Sequence, residues 1–255
     1  MSTDAYIASL RRFVARRGLC RNIYSDNGTN FVGAERELRK IIFERKSTEQ
    51  IANSFTHQGI SFHFIPPSSP HMGGIWEAGV KSVKFHLRRV VGNARLTFEE
   101  FTTLLCQIEA VLNSRPLCPL SNNPDDLQVL TPGHFLIGTS LLEVPDPDVK
   151  DVPTNRLSRW LYVQQMVQRV WKCWSQDYLH QLQQRSKWKR SQPNIRIGDV
   201  VLFKEDNLPP LVWKRAVVSA IHTGKDGLTR VVTLRTATGS LKRPITKVCL
   251  LPKPN

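Results

Sequence analysis

The chain has 255 residues, 40% hydrophobic and 22% charged, enough for one or two domains with cores of their own. Its net charge of +15 is lopsided: residues 1–155 carry 17 Lys/Arg against 16 Asp/Glu, and residues 156–255 carry 19 against 5. That field favours nucleic acid as a partner over a small-molecule substrate; a solubilising basic tail is the alternative, and periodic apolar residues in the same region weigh against it.

In chain order, Ser2, Thr3 and Asp4 offer capping groups ahead of Tyr6, Ile7, Leu10, Phe13 and Val14 at helical spacing, and Gly18 closes that helix. Residues 21–25 read as a short buried strand ended by Asp26-Asn27-Gly28, and residues 33–57 as one or two helices stopped at Gly59. Residues 60–65 alternate with period two and predict a strand. Pro66 to Gly74, with three prolines and paired glycines, predicts a loop. A helix over about 75–91 and a second, capped by Thr97 and reaching about Leu112, complete an α/β region.

Residues 113–155 are rich in Pro, Asn and Asp and read as a long connection. One long helix follows from Arg156 to about Lys189, with Trp160, Val163, Val167, Trp171, Trp174, Tyr178 and Leu182 on one stripe. Four or five short strands then fill residues 195–250, with a hairpin turn at Lys225-Asp226-Gly227, as in a small SH3-like barrel. The five cysteines contain no C-x-x-C pair, which argues against a disulfide framework and a structural zinc site and for a reduced, intracellular, non-secreted protein. No apolar run approaches eighteen residues, so no membrane span is expected.

The candidate chemistry lies in two stretches. Asp26 stands where a strand gives way to a glycine turn, and Glu77 stands in the first turn of a helix, where the dipole favours a carboxylate. On that helix Trp76, Val80, Val83, Leu87 and Val90 form an apolar stripe expected to dock on the sheet. Glu77, Lys81, Lys84 and Arg88 form the neighbouring stripe, suited to holding DNA phosphates beside metal-binding carboxylates. Taken alone, the stripe reads rather as a solvated helix face with a Glu77–Lys81 pair, and the site reading prevails only alongside the Asp26 turn. The tryptophans of the long helix are expected in a core, while Trp213 is a candidate for a surface role. In the barrel, Lys214, Arg215, Arg235, Lys242 and Arg243 are candidate phosphate contacts, weighed against an ordinary solvated surface.

The motifs S-D-N-G-T-N-F and P-P-x-x-P-H-x-G-G-x-W-E closely resemble the integrase core of retrotransposons, most of all the BEL/Pao class. L-N-S-R-P-L at 112–117 and L-T-P-G-H-F at 130–135 look like further stretches of that family. Residues 156–252, with R-W…W-x-x-W-S-x-D-Y-L and G-D-V-V-L, resemble the domain that follows the core. The resemblance implies a partial ribonuclease-H-like core over 1–120, a linker over 121–155, a basic Trp-rich helix over 156–192 and an SH3-like barrel over 193–255. It makes Asp26 and Glu77 the second and third acidic residues of a DDE site for Mg²⁺ or Mn²⁺, and Lys81 and Lys84 DNA-contacting lysines. DNA or RNA, and a homo-oligomer, are the implied partners, with the nucleus as the place of action.

The family's first Asp belongs on an earlier strand, and Asp4, at a helix start, is a poor stand-in. The chain is therefore expected to be truncated at its front, without the first three strands, and to hold metal weakly if at all. Two functions follow: a fragment of an integrase competent only within a longer product, or a non-catalytic nucleic-acid-binding remnant. A scaffold role for the Trp-rich helix is a third.

Overall fold

The structure, a computed structural model, describes residues 2–46, 60–66, 74–121, 126–142, 144–183, 195–224 and 227–252. Most of the proline-glycine loop (67–73), the hairpin residues Lys225 and Asp226, and the expected helical tail beyond 183 lie outside them, as do residues 47–59. The chain divides into two compact units, Met1–Lys81 and Ser82–Asn255.

The first unit opens with α1 (Thr3–Arg17), whose N-cap Ser2 accepts a hydrogen bond from the Ala5 amide at 3.2 Å. β1 (Asn22–Ser25) and β2 (Ser61–Phe64) pair in parallel, Asn22 opposite Ser61 through Ser25 opposite Phe64, with α2 (Thr29–Lys46) between them in sequence. α1 and α2 pack closely at Gly33, where an added Cβ would lie 2.5 Å from Thr3 Oγ1. Tyr6 meets Phe31 edge-on, ring centroids 4.7 Å apart.

The strand expected to be buried is not. Tyr24 is 61% exposed and stacks on His63 of the neighbouring strand. Among the described side chains of this unit only Ser25 and Ala34 are buried.

α3 (Gly74–Val91) runs across the boundary between the units. Its later apolar residues, Val83, Leu87 and Val90, pack with Leu104 and Ile108 of α4 (Phe98–Asn113) and Val163 and Val167 of α6 (Arg159–Leu182). The expected docking on a sheet is therefore corrected for this part of the helix: its partners are helices, and Val80 is exposed.

At the start of α4 the capping box is complete, with Thr97 Oγ1 accepting from the Glu100 amide and Glu100 Oε2 accepting from the Thr97 amide. The same carboxylate takes two hydrogen bonds from the Arg159 guanidinium, at 2.8 and 2.5 Å. The Arg159 hydrogen bond first, then the Thr97 amide, bring the Glu100 carboxyl from the usual 4.5 down to about 2. A carboxyl depressed on folding stabilises above its unfolded value and loses that contribution as pH falls through the folded one. The stability gap between the wild type and Glu100→Gln, measured by urea unfolding, should be full above pH 4.5 and close as pH falls toward 2. A gap independent of pH across that window would refute the assignment.

The described part of residues 121–155 is built into the second unit. β3 (Cys118–Pro119) pairs with β4 (Val129–Leu130), α5 (Pro132–Ile137) follows, and Val149 is buried against α6. Its polar backbone finds partners on the helix: Gln165 Nε2 donates to the Val149 and Val152 carbonyls, both at 2.7 Å.

β5 (Val200–Phe203), β6 (Arg215–Thr223), β7 (Thr229–Thr236), β8 (Gly239–Pro244) and β9 (Val248–Leu250) form an antiparallel sheet in the order β8-β7-β6-β5-β9. β8 and β9 occupy opposite edges yet are joined only by the 3-10 turn Ile245–Lys247. A flat sheet of five strands would separate its edges by roughly 19 Å, while one such turn rises about 6 Å. The sheet is therefore rolled.

Period-two alternation gives it two apolar faces. Val201, Phe203, Val218, Val232 and Leu234 fill the inside. Val200, Leu202, Val217, Cys249 and Leu251 pack on Leu179 and Leu182 of α6 and on Trp213. Among the described residues, no helix is long and apolar enough to cross a membrane.

Candidate functional site

Asp26 directly follows β1 and is exposed. Its Oδ1 accepts from the Gly28 amide at 2.9 Å, a local turn that points the carboxylate back over the glycine. A Cβ at position 28 would lie 3.0 Å from that oxygen, 2.9 Å from Asn30 Oδ1 and 3.1 Å from the Phe31 ring. Glycine is thus what lets the carboxylate fold down. Asn27 fixes the turn to the sheet, donating from Nδ2 to the Ile65 carbonyl, while the Gly28 carbonyl accepts from the first amides of α2.

Glu77 is exposed in the first turn of α3. Lys81, Lys84 and Arg88 follow it along the helix, all exposed. Arg89 adds a cation outside that stripe; its guanidinium sits 3.8 Å from the ring centroid of Phe85, itself 45% exposed. The signal for it in the sequence is an aromatic four residues before an arginine. His86, on the other flank, is buried with Nε2 3.3 Å from Asp177 Oδ2. Burial pushes its pKa down, partly opposed by the Asp177 carboxylate.

Mg²⁺ and Mn²⁺ take oxygen ligands, and two such ions held for phosphoryl transfer need several carboxylates in one place. Asp26 spends one oxygen on the turn, and among the described residues no group of three or more His, Cys, Asp or Glu gathers to hold a metal. The described side chains do not fit a two-metal donor set.

On the rolled sheet the five basic candidates separate. Leu234 pairs with Leu241 on the inner face, so the flanking pairs Thr233–Lys242 and Arg235–Ser240 point outward. Register thus brings Arg235 and Lys242 together on one exposed face, joined from β6 by His222, which sequence reasoning misses and which bonds to Thr233 Oγ1 at 2.9 Å. Arg243 pairs with Val232 instead, and its guanidinium lies 6.0 Å from the Phe203 ring centroid.

Lys214 is bridged to Glu205 at 3.4 Å. Arg215 is half-buried on the side packed against α6; burial lowers its pKa, opposed by the Asp126 carboxylate. Trp213, a candidate for a surface role, is packed among Trp171, Trp174 and Tyr178, with its Nε1 donating to Ser114 Oγ at 3.2 Å.

Residues 158–251 match the model of a Family of unknown function (DUF5641), a span that takes in α6 and the whole rolled sheet. No curated protein matches the chain. Among solved structures the chain is similar to one in a simian T-cell lymphotropic virus intasome in complex with PP2A regulatory subunit B56 gamma, at 13% identity and a TM-score of 0.35. That match covers 100% of this chain and 66% of the other, a little under two thirds of its length.

Proposed function

We propose that the chain is a nucleic-acid-binding protein of retrotransposon-integrase origin, BEL/Pao class, with a ribonuclease-H-like core and an SH3-like barrel, and that it does not join DNA strands by itself. The observation that carries the binding is the exposed row Lys81, Lys84 and Arg88, set on a helix whose other flank is half-buried through Val83, Leu87 and Val90. Arg235 and Lys242 offer a second cationic surface of the same kind. Such side chains neutralise phosphates without reading bases, so the affinity they give depends steeply on salt. The resemblance of S-D-N-G-T-N-F and the Glu77 motif to integrases supports the origin. The donor set of Asp26 and Glu77, short of two-metal needs, supports the lack of independent chemistry.

A short labelled DNA duplex should bind the wild-type chain with affinity falling steeply between about 50 and 200 mM salt. The triple variant Lys81→Gln/Lys84→Gln/Arg88→Gln should bind more weakly, its log K against log salt slope reduced by about 0.9 for each phosphate no longer neutralised. Affinity that stays flat with salt would dismiss the reading. With Mg²⁺ or Mn²⁺ and paired DNA ends, strand joining should not exceed that of Asp26→Asn or Glu77→Gln; clear joining by the wild type alone would overturn the second half of the proposal.

A further inference from the structure

Phe85 is an aromatic ring left 45% exposed in the middle of a cationic helix face. At 3.6 residues per turn, Lys84, Arg88, Lys81, Phe85 and Arg89 follow one another around the solvent side of α3 within an arc of about 140°. All five are exposed, and from position 81 to 89 the helix carries no carboxylate. The ring is held by its neighbours: the Arg89 guanidinium lies over it, 3.8 Å from the centroid, and His86 meets it edge-on at 5.1 Å.

Two carboxylates bear on this face. Glu77 lies two turns earlier, about 12 Å along the helix axis, and the Asp177 carboxylate of α6 faces His86 Nε2 at 3.3 Å. Counting both, cations outnumber carboxylates four to two. Val80 is the only other large apolar side chain exposed among the described residues of α3, too little for an apolar docking patch. Cations alone hold phosphates whether the strand is paired or not. A ring capped by a guanidinium adds a flat surface, and the base faces of a duplex are already stacked on one another, so only an unpaired base can use it.

We propose that Phe85 and Arg89 stack an unpaired nucleobase while Lys81, Lys84 and Arg88 hold the flanking phosphates, so that this face engages a single-stranded nucleic acid through a base as well as through its backbone. The inference rests on the nucleic-acid reading of the same row and adds the form of the ligand.

The test measures fluorescence anisotropy of labelled strands of about twenty nucleotides on the full chain at one salt concentration. Oligothymidine should bind the wild type at least about fivefold more tightly than the same backbone without bases, the effect of one stacked base. Phe85→Leu keeps apolar bulk without a π face and should erase that margin, whereas Phe85→Tyr should keep it. Arg89→Lys keeps the charge without the plane, so it should shrink the margin and leave the salt slope unchanged. Duplex affinity should move by no more than about twofold in any of the three variants, since the duplex offers no base face. Oligouridine should show the same margin, and a margin for one polymer alone identifies that polymer as the source of the base.

Near-ultraviolet circular dichroism shows whether each variant keeps its fold. Equal binding of the abasic strand by the wild type, or a margin that survives in folded Phe85→Leu, would overturn the stack; salt-dependent duplex binding in the same experiment would leave the nucleic-acid reading standing. Absence of salt-dependent binding to every strand would remove both.

Discussion

Trp171→Ala should destabilise the second unit by about 3–5 kcal/mol, the cost of emptying a large buried aromatic site. Trp171 is only 3% exposed and meets Trp213 edge-on at 4.9 Å. Trp213 in turn meets Trp174 at 6.0 Å and Tyr178 at 5.5 Å, edge-on in both cases. Three of the four rings in this cluster have their polar end hydrogen-bonded. The indole nitrogens of Trp171 and Trp213 reach the Leu208 carbonyl and Ser114 Oγ, and the Tyr178 hydroxyl donates to the Pro116 carbonyl. Burial pushes the Tyr178 phenol up to about 12, so it remains a donor across the working pH range.

The four rings thereby join the end of α4, the middle of α6 and the loop before β6. Trp171→Phe keeps most of the area and loses the indole hydrogen bond, so it should cost about 1–3 kcal/mol, the penalty of leaving the Leu208 carbonyl without its donor. Urea unfolding followed by near-ultraviolet circular dichroism reads both. A loss below about 1 kcal/mol for Trp171→Ala would show that the cluster is not a structural core.

Gln165→Leu should be nearly as damaging although it replaces a polar side chain with an apolar one of similar size. Gln165 is fully buried, and its Nε2 serves the carbonyls of Val149 and Val152. Its Oε1 is buried without a hydrogen-bond partner, so the substitution forfeits only what the nitrogen gives. The buried Val149 carbonyl would lose its donor at about 1–3 kcal/mol, and the part-buried Val152 carbonyl would add to that. Gln168 holds the same segment, donating to the Pro147 carbonyl and accepting from the Val149 amide, as does Arg169 at the Lys150 carbonyl. Gln165→Leu should therefore loosen residues 147–152 first. Hydrogen exchange should rise there before it rises in α4, and unchanged protection would remove the amide from this role.

These two sites mark where sequence reading succeeds and where it stops. Caps and turns are local chemistry, so Ser2, Thr97 with Glu100, and the Asp26-Asn27-Gly28 turn are all legible from neighbours in the chain. Periodicity names an apolar face but not the surface that covers it. That is why Val83, Leu87 and Val90 are expected on a sheet and found on helices. The Trp stripe of α6 is read correctly at Trp171 and Trp174, while Trp160 is exposed and the positions of Gln164, Gln165 and Gln168 are buried. Glutamine inside a helix looks like surface until its non-local partners at residues 147–152 and Gln107 are known.

Trp213 escapes the sequence for the same reason, its neighbours lying about forty residues earlier. In the candidate site, the exposure of Asp26, Glu77, Lys81, Lys84 and Arg88 follows from local spacing. The separation of Arg243 from Lys242 follows only from the register of β7 with β8.

Strand β9 carries a consequence for the order of events on the ribosome. Val248 completes the inside of the rolled sheet, while Cys249 and Leu251 complete the layer against α6. Gln183, just past the helix end, donates to the carbonyls of Thr246 and Val248. Both apolar layers thus wait for the same four residues, and a nascent chain that has not yet released them leaves the sheet and the tail of α6 uncovered. The rolled sheet and its layer on α6 should therefore close together when β9 pairs with β5, rather than strand by strand.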